Sequence, residues 1–195
     1  CHLRRDRRHI SDADLVKPCR MKGDTHVEVA DDAKMIALVL KAKPSSVCLV
    51  PERPGEVSTE GGLDTKKNYK SLARTVARLK KAGMEVSLFI APEPFSVRVS
   101  RNMGADVVEF DTSDYVAAKN KTAVKSELER LELAVYMAWE MGLTVHAGHG
   151  LDYHNVRAVA RIPHLSALNI GFAIVARSVF VGFKTAVAEM RRLID

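Results

Sequence analysis

This sequence predicts an α/β fold built from parallel strands, a (β/α)8 TIM barrel in preference to a doubly wound open sheet. Short apolar, β-branched runs alternate with longer segments of helical period from one end of the chain to the other, the pattern of parallel strands joined by crossovers. Several strand-like runs lead straight into polar or glycine residues, as at Pro51-Glu52, Glu109-Phe110-Asp111, His146-Ala147-Gly148-His149-Gly150 and Asn169-Ile170-Gly171. A barrel carries its chemistry on the loops after its strands, so it fits that distribution better than an open sheet does. Neither a repeat nor a linker-like stretch divides residues 1–195, and a single domain is expected.

The elements follow in order. THVEVA reads as a strand, and the helix DDAKMIALVLKAK after it gathers Met35, Ile36, Leu38, Val39 and Leu40 toward one side. SVCLV is the next strand, followed by the loop PERPGEVSTEGGLD, whose glycines and charges suit a lid. YKSLARTVARLKKAG is a helix that stops at Gly83 with lysines in its last turn. Strand EVSLFI, a helix through PFSVRVSRNMG, strand DVVEF and a long helix near 122–141 come next. The remainder reads as strand TVHAG, a helix through YHNVRAVARI, strand SALNIG and a final helix near 174–194. Six full strands result, with CHL a seventh if it is the tail of one.

Composition narrows the function classes. With 47% hydrophobic and 28% charged residues the chain is an ordinary globular one. Its apolar runs fall short of the roughly 20 residues a membrane-spanning helix needs, so no membrane partner is expected. Cys1, Cys19 and Cys48 are odd in number and far apart, without a CxxC pair, which points to a reducing cytoplasm. The net charge of +6 is open to nucleic acid or to phosphorylated small molecules. Aromatic residues make up only 6%, and most basic residues decorate helices among acids, so nucleic acid is not the expected partner.

AGHGLDYHN is the most informative short motif. Gly148 and Gly150 permit a tight loop and close approach of backbone N–H groups to an anion, and His149 between them is a candidate acid or base. Glu28 alternates with Val27 and Val29 in a strand covered on both faces, where a carboxylate needs a partner or a raised pKa; Glu109 in DVVEFD poses the same question. Two carboxylates with histidines suit proton transfer better than metal ligation, since neither HxH nor HExxH occurs and His146-xx-His149 has no cysteine near it. If CHL ends a strand, His2 stands at the chemical end, and Arg4, Arg5, Arg7, Arg8 and His9 belong to a phosphate-gripping loop.

Read together, HLRRDRRHI, PERPGEVSTEGGLD, HAGHGLDYHN and LNIG resemble the pyridoxine 5′-phosphate synthase family of vitamin B6 biosynthesis, over essentially all 195 residues. The resemblance implies a barrel lacking its first strand, with an Asn-x-Asp-His motif, its first helix and most of its second strand, and CHL as the end of that second strand. Activity of the chain in this form is expected to be low. The implied reaction condenses 3-amino-2-oxopropyl phosphate with 1-deoxy-D-xylulose 5-phosphate, without metal or organic cofactor, in a homo-octamer. His2 and Glu28 match the family's proton-accepting pair, His149 its proton donor and Glu109 a carboxylate supporting the transition state. Arg4, His9 and Ser58 match substrate contacts, as do the backbones of Gly150, Gly171 and Phe172. The chain departs from some relatives at Phe172, Pro54 and Asp111, the last adding negative charge near the pocket mouth. Another phosphosugar-processing barrel enzyme, or an inactive homologue of anion- or nucleic-acid-binding character, is the alternative.

Overall fold

The computed structural model describes residues 1–52 and 61–195. Among them seven strands form one sheet: β1 (His2–Leu3), β2 (His26–Ala30), β3 (Ser46–Val50), β4 (Glu85–Ile90), β5 (Val107–Asp111), β6 (Thr144–Gly148) and β7 (Ala167–Asn169). Every neighbouring pair is parallel and the spatial order is the sequence order, β1 to β7. A doubly wound sheet reverses its order at a switch point. An unbroken run of right-handed crossovers instead puts all the helices on one side, and the other side is shielded only if the sheet curls on itself. His26 on β2 and His146 on β6 record the curl. Four strand spacings would separate them by roughly 19 Å in a flat sheet, yet their ring centroids are 6.5 Å apart. The fold is thus the barrel type expected, with β1 and β7 as the two ends of the described sheet.

Helices α1 (Asp12–Cys19), α2 (Ala33–Ala42), α3 (Tyr69–Lys81), α4 (Pro94–Asn102), α5 (Ser113–Ala117), α6 (Lys121–Glu140), α7 (Val156–Ala160), α8 (Phe172–Val181) and α9 (Phe183–Ile194) fill the crossovers. Side chains start several of them. Ser11 and Asp14 form a reciprocal capping box on α1, Asp32 accepts from two N–H groups of α2, and Asn120 accepts from Ala123 N on α6. Sequence periodicity does not anticipate α1 or α5. The helix read through YHNVRAVARI shrinks to α7, because Asp152 and Asn155 exchange side-chain to backbone hydrogen bonds (2.8 and 3.0 Å) that hold the preceding residues in a turn. The single helix expected near 174–194 is two, broken at Gly182, whose φ of 80° no helix interior accommodates.

Alternation along the strands separates two environments. Val27, Val29, Leu49, Leu88, Phe110 and Val145 point outward and pack with Leu72, Val76, Leu131 and Val135 of the helices into the main apolar cluster. Burying each such side chain contributes about 1.5–3 kcal/mol. The intervening positions point inward and are of another kind: His26, Glu28, Cys48, Ser87, Glu109 and His146, with only Cys48, Val50 and Phe89 forming a small apolar cluster there. The hydrophobic mass of this protein lies between sheet and helices, and the concave face is left to polar chemistry.

Candidate active site

Because all strands are parallel, their C-terminal ends share one rim, and His2 with the loop after it, Glu52, Asp111, His149 and Gly171 all arrive there. His2 pairs in register with Glu28, and its Nδ1 lies 3.4 Å from Glu28 Oε2. Its Nε2 faces a second carboxylate, Glu52 Oε1, at 3.7 Å. Glu52 is itself held in place by Arg5, whose backbone N–H and Nε donate to Oε2 at 3.1 and 3.2 Å. The imidazole therefore stands between two carboxylates, at ion-pair rather than hydrogen-bond distance. Glu52 has no role in the sequence reading beyond a polar strand end, and the register between strands, which a linear pattern does not carry, is what reveals it.

The Glu28 side chain keeps 30% of its surface open to the concave face, yet protein crowds it on every other side. Burial raises its pKa, while His149 pulls the other way. Glu109 on β5 is almost fully enclosed. Asn169 Nδ2 donates to its Oε2 at 2.6 Å, and the Cys48 thiol lies 3.6 Å from the same oxygen. Burial, with the Glu28 charge adding to it, pushes Glu109 up to about 8, so the group holds its proton at neutral pH and can donate it. The sequence-based expectation for both carboxylates, a partner or a raised pKa, is met twice over.

Gly148 makes room for this carboxylate. A Cβ there would stand 2.6 Å from Glu109 Oε1 and 2.9 Å from the Asn169 carbonyl oxygen. The next residue, His149, adopts φ 84°, a left-handed conformation costly for a residue with a Cβ. Thr112 fastens it: its Oγ1 lies 2.7 Å from the Gly148 carbonyl oxygen and 2.5 Å from that of His149, its one hydroxyl proton shared between them, and its N–H also reaches Gly148 O. Gly150 follows at φ 72°, its α-carbon against Val116.

Around this centre, Arg4 is buried with Nε 3.6 Å from Asp6 Oδ1, and the His9 ring lies 5.6 Å from that of His2. Gly148 pairs with Asn169, so Gly150 and Gly171 stand two residues beyond the same register on adjacent strand ends. Gly171 is the N-cap of α8, where no side chain caps the first-turn N–H groups. The Phe172 side chain is 86% exposed, leaving its backbone as the part available to the rim. Asp111, at the same rim, accepts from Ser113 N and Oγ, both at 2.9 Å, and its negative charge adds to the raised pKa of Glu109. Ser58, Pro54 and most of the expected lid lie outside the described residues.

Comparison with known proteins places the chain among named relatives. The Magnetococcus marinus pyridoxine 5′-phosphate synthase is 48% identical over 195 residues, 98% of this chain and 79% of the relative. The enzyme of the same name from Elusimicrobium minutum is 45% identical, covering 99% and 81%. A chain in the crystal structure of the Amycolatopsis orientalis BexX/CysO complex matches with a TM-score of 0.60 at 14% identity, over 99% of this chain and 77% of that one, a likeness of fold alone. The family model described as pyridoxal phosphate biosynthesis protein PdxJ matches residues 1–195, and the chain belongs to that family.

Proposed function

We propose that this protein is a pyridoxine 5′-phosphate synthase, condensing 3-amino-2-oxopropyl phosphate with 1-deoxy-D-xylulose 5-phosphate and releasing phosphate and water by acid–base catalysis. The observation that carries this reading is the His2–Glu28 pair on the concave face, 3.4 Å apart, in a member of the PdxJ family. Glu28, with its raised pKa, takes the protons that enolisation and amine activation release, and His2 relays them. His149 on its strained turn gives a proton to the departing oxygen. Protonated Glu109 hydrogen-bonds the developing negative charge, the work a neutral carboxylic acid does best.

Arg4 and His9 hold the phosphate of the deoxyxylulose substrate. The N–H groups at Gly150, Gly171 and Phe172 take the other phosphate, helped by the positive end of α8. The groups that bind and the groups that move protons are thus different, which lets each be tested alone. No helix among the described residues is long and apolar enough to cross a membrane, and the reading is of a cytoplasmic enzyme needing no organic cofactor. The proposal extends to a homo-octamer. Leu133, Tyr136 and Trp139 leave an apolar strip exposed on α6, more than a helix covering its own sheet requires. Sedimentation that finds only monomer would remove that part.

The reaction is tested by supplying both substrates to the chain and to a form extended before Cys1 by the strand and helix the resemblance expects. Pyridoxine 5′-phosphate with matching phosphate release supports the proposal; no product from the extended form overturns it.

A further inference from the structure

Below the His2–Glu28 pair, the concave face holds a second cluster that the proposed reaction uses only in part. His26 on β2, Cys48 on β3 and Glu109 on β5 project to one point, with ligand atoms all within 4.8 Å of one another. We infer that these three side chains form a binding site for a thiophilic divalent cation of the zinc class, inside the barrel.

Three features carry the inference. The first is spacing. Cys48 Sγ and Glu109 Oε2 are 3.6 Å apart, and a tetrahedral zinc ion, with bonds of about 2.3 Å to sulfur and about 2.1 Å to oxygen, sets the two donors about 3.6 Å apart. Bringing His26 into the same sphere asks for about 1 Å of side-chain movement from the 4.8 Å limit.

The second feature is the presentation of the histidine. His26 Nδ1 is hydrogen-bonded to Ser46 Oγ at 2.7 Å, which fixes the ring, and Nε2 is buried with no hydrogen-bond partner among the described residues. A buried polar atom left without a partner is costly, and a ring anchored through one nitrogen with the other bare is how ligating histidines are held. The third is the carboxylate's support. Asn169 Nδ2 donates to Glu109 at 2.6 Å and orients it toward the sulfur.

One thiolate, one imidazole and one carboxylate select zinc or cobalt over magnesium or calcium, which take oxygen donors. On binding, the thiol proton and the proton that Glu109 holds at neutral pH both leave to solvent, and a fourth coordination position stays open. Each ligand comes from a different strand, so no paired spacing along the chain displays the set. A consequence rests on the proposed function: an ion on Glu109 removes that acid from the reaction, making the cation an inhibitor.

The test uses Co²⁺ as an optical probe on chelator-treated protein. A thiolate-to-cobalt charge-transfer band saturating at one equivalent is expected, displaced by Zn²⁺, surviving Cys1→Ser with Cys19→Ser, and abolished by Cys48→Ser. His26→Asn should weaken cobalt binding at least tenfold. Absence of the band at one equivalent overturns the inference, and so does a band that disappears with Cys1 and Cys19, whatever Cys48→Ser does to folding. In the turnover assay Zn²⁺ should inhibit the parent and spare His26→Asn. A cobalt site without inhibition leaves the metal site standing and strikes at the catalytic role given to Glu109.

Discussion

His2 and Glu28 face each other across β1 and β2, and the 3.4 Å between Nδ1 and Oε2 joins the end of one strand to the middle of the next. A base buried this way works only when ionised. Because burial raises the Glu28 pKa, turnover should climb as pH rises through that raised value and level off above it. Glu28→Gln keeps the shape and removes the base, so turnover should fall about 10² to 10⁴ and the acid limb of the profile should vanish. Substrate affinity should change far less, since in the proposed reaction Arg4, His9 and the rim N–H groups hold the phosphates. Turnover within threefold of the parent would end the assignment.

Glu109 makes stability depend on pH in an unusual direction. Its carboxyl sits at about 8 in the fold against an ordinary 4.5. The folded state binds the proton more tightly than the unfolded chain does, so this contribution is complete below about 4.5 and lost as pH rises through about 8. In chelator, the unfolding free energy of the parent, from urea titrations, should decline between about pH 5 and pH 9 by a few kcal/mol more than that of Glu109→Gln. Parallel declines in the two proteins would show that the carboxyl is not so perturbed.

Gly148→Ala tests the tightness of the same place. A Cβ 2.6 Å from Glu109 Oε1 and 2.9 Å from a backbone oxygen must displace one of them. A loss of about 1–3 kcal/mol in stability is expected, with a fall in turnover larger than stability explains, because the displaced group is the acid. Thermal unfolding and steady-state kinetics on one preparation separate the two effects.

Thr112→Val removes the clasp on His149 without touching the ring. The one hydroxyl proton shared by the Gly148 and His149 carbonyls, at 2.7 and 2.5 Å, is lost, which should cost about 1–3 kcal/mol. The left-handed turn is then free to relax. Turnover should drop while Thr112→Ser, which keeps the hydroxyl, recovers most of it. Failure of serine to rescue would mean that the methyl group matters and the hydroxyl does not.

The alternation of strand and helix is legible in this chain because the two apolar periods differ and glycines such as Gly83 and Gly142 punctuate them. Glu28, Glu109 and His149 stand out as polar residues in apolar or glycine-rich surroundings. What eludes a linear reading is what register decides: Glu52 facing His2, Asn169 reaching Glu109, and Thr112 fastening the next strand's turn. Gly182 hides inside a long apolar run, so two helices read as one. Asp111 accepts from Ser113, two residues away, through a turn that the strand-like run before it does not announce.

The separation of apolar and polar faces on every strand also governs which accidents of inheritance this protein survives. Single substitutions on the concave face alter reactivity and leave the outer packing alone, so chemistry can drift while the scaffold persists. A one-residue deletion inside β2 has no such latitude. It would invert every residue on one side of the gap, turning valines toward the polar hollow or driving His26 or Glu28 into the oily layer beneath the helices, harming site and scaffold in one event. Insertions and deletions in the descent of this chain should therefore collect between its strands and spare their interiors.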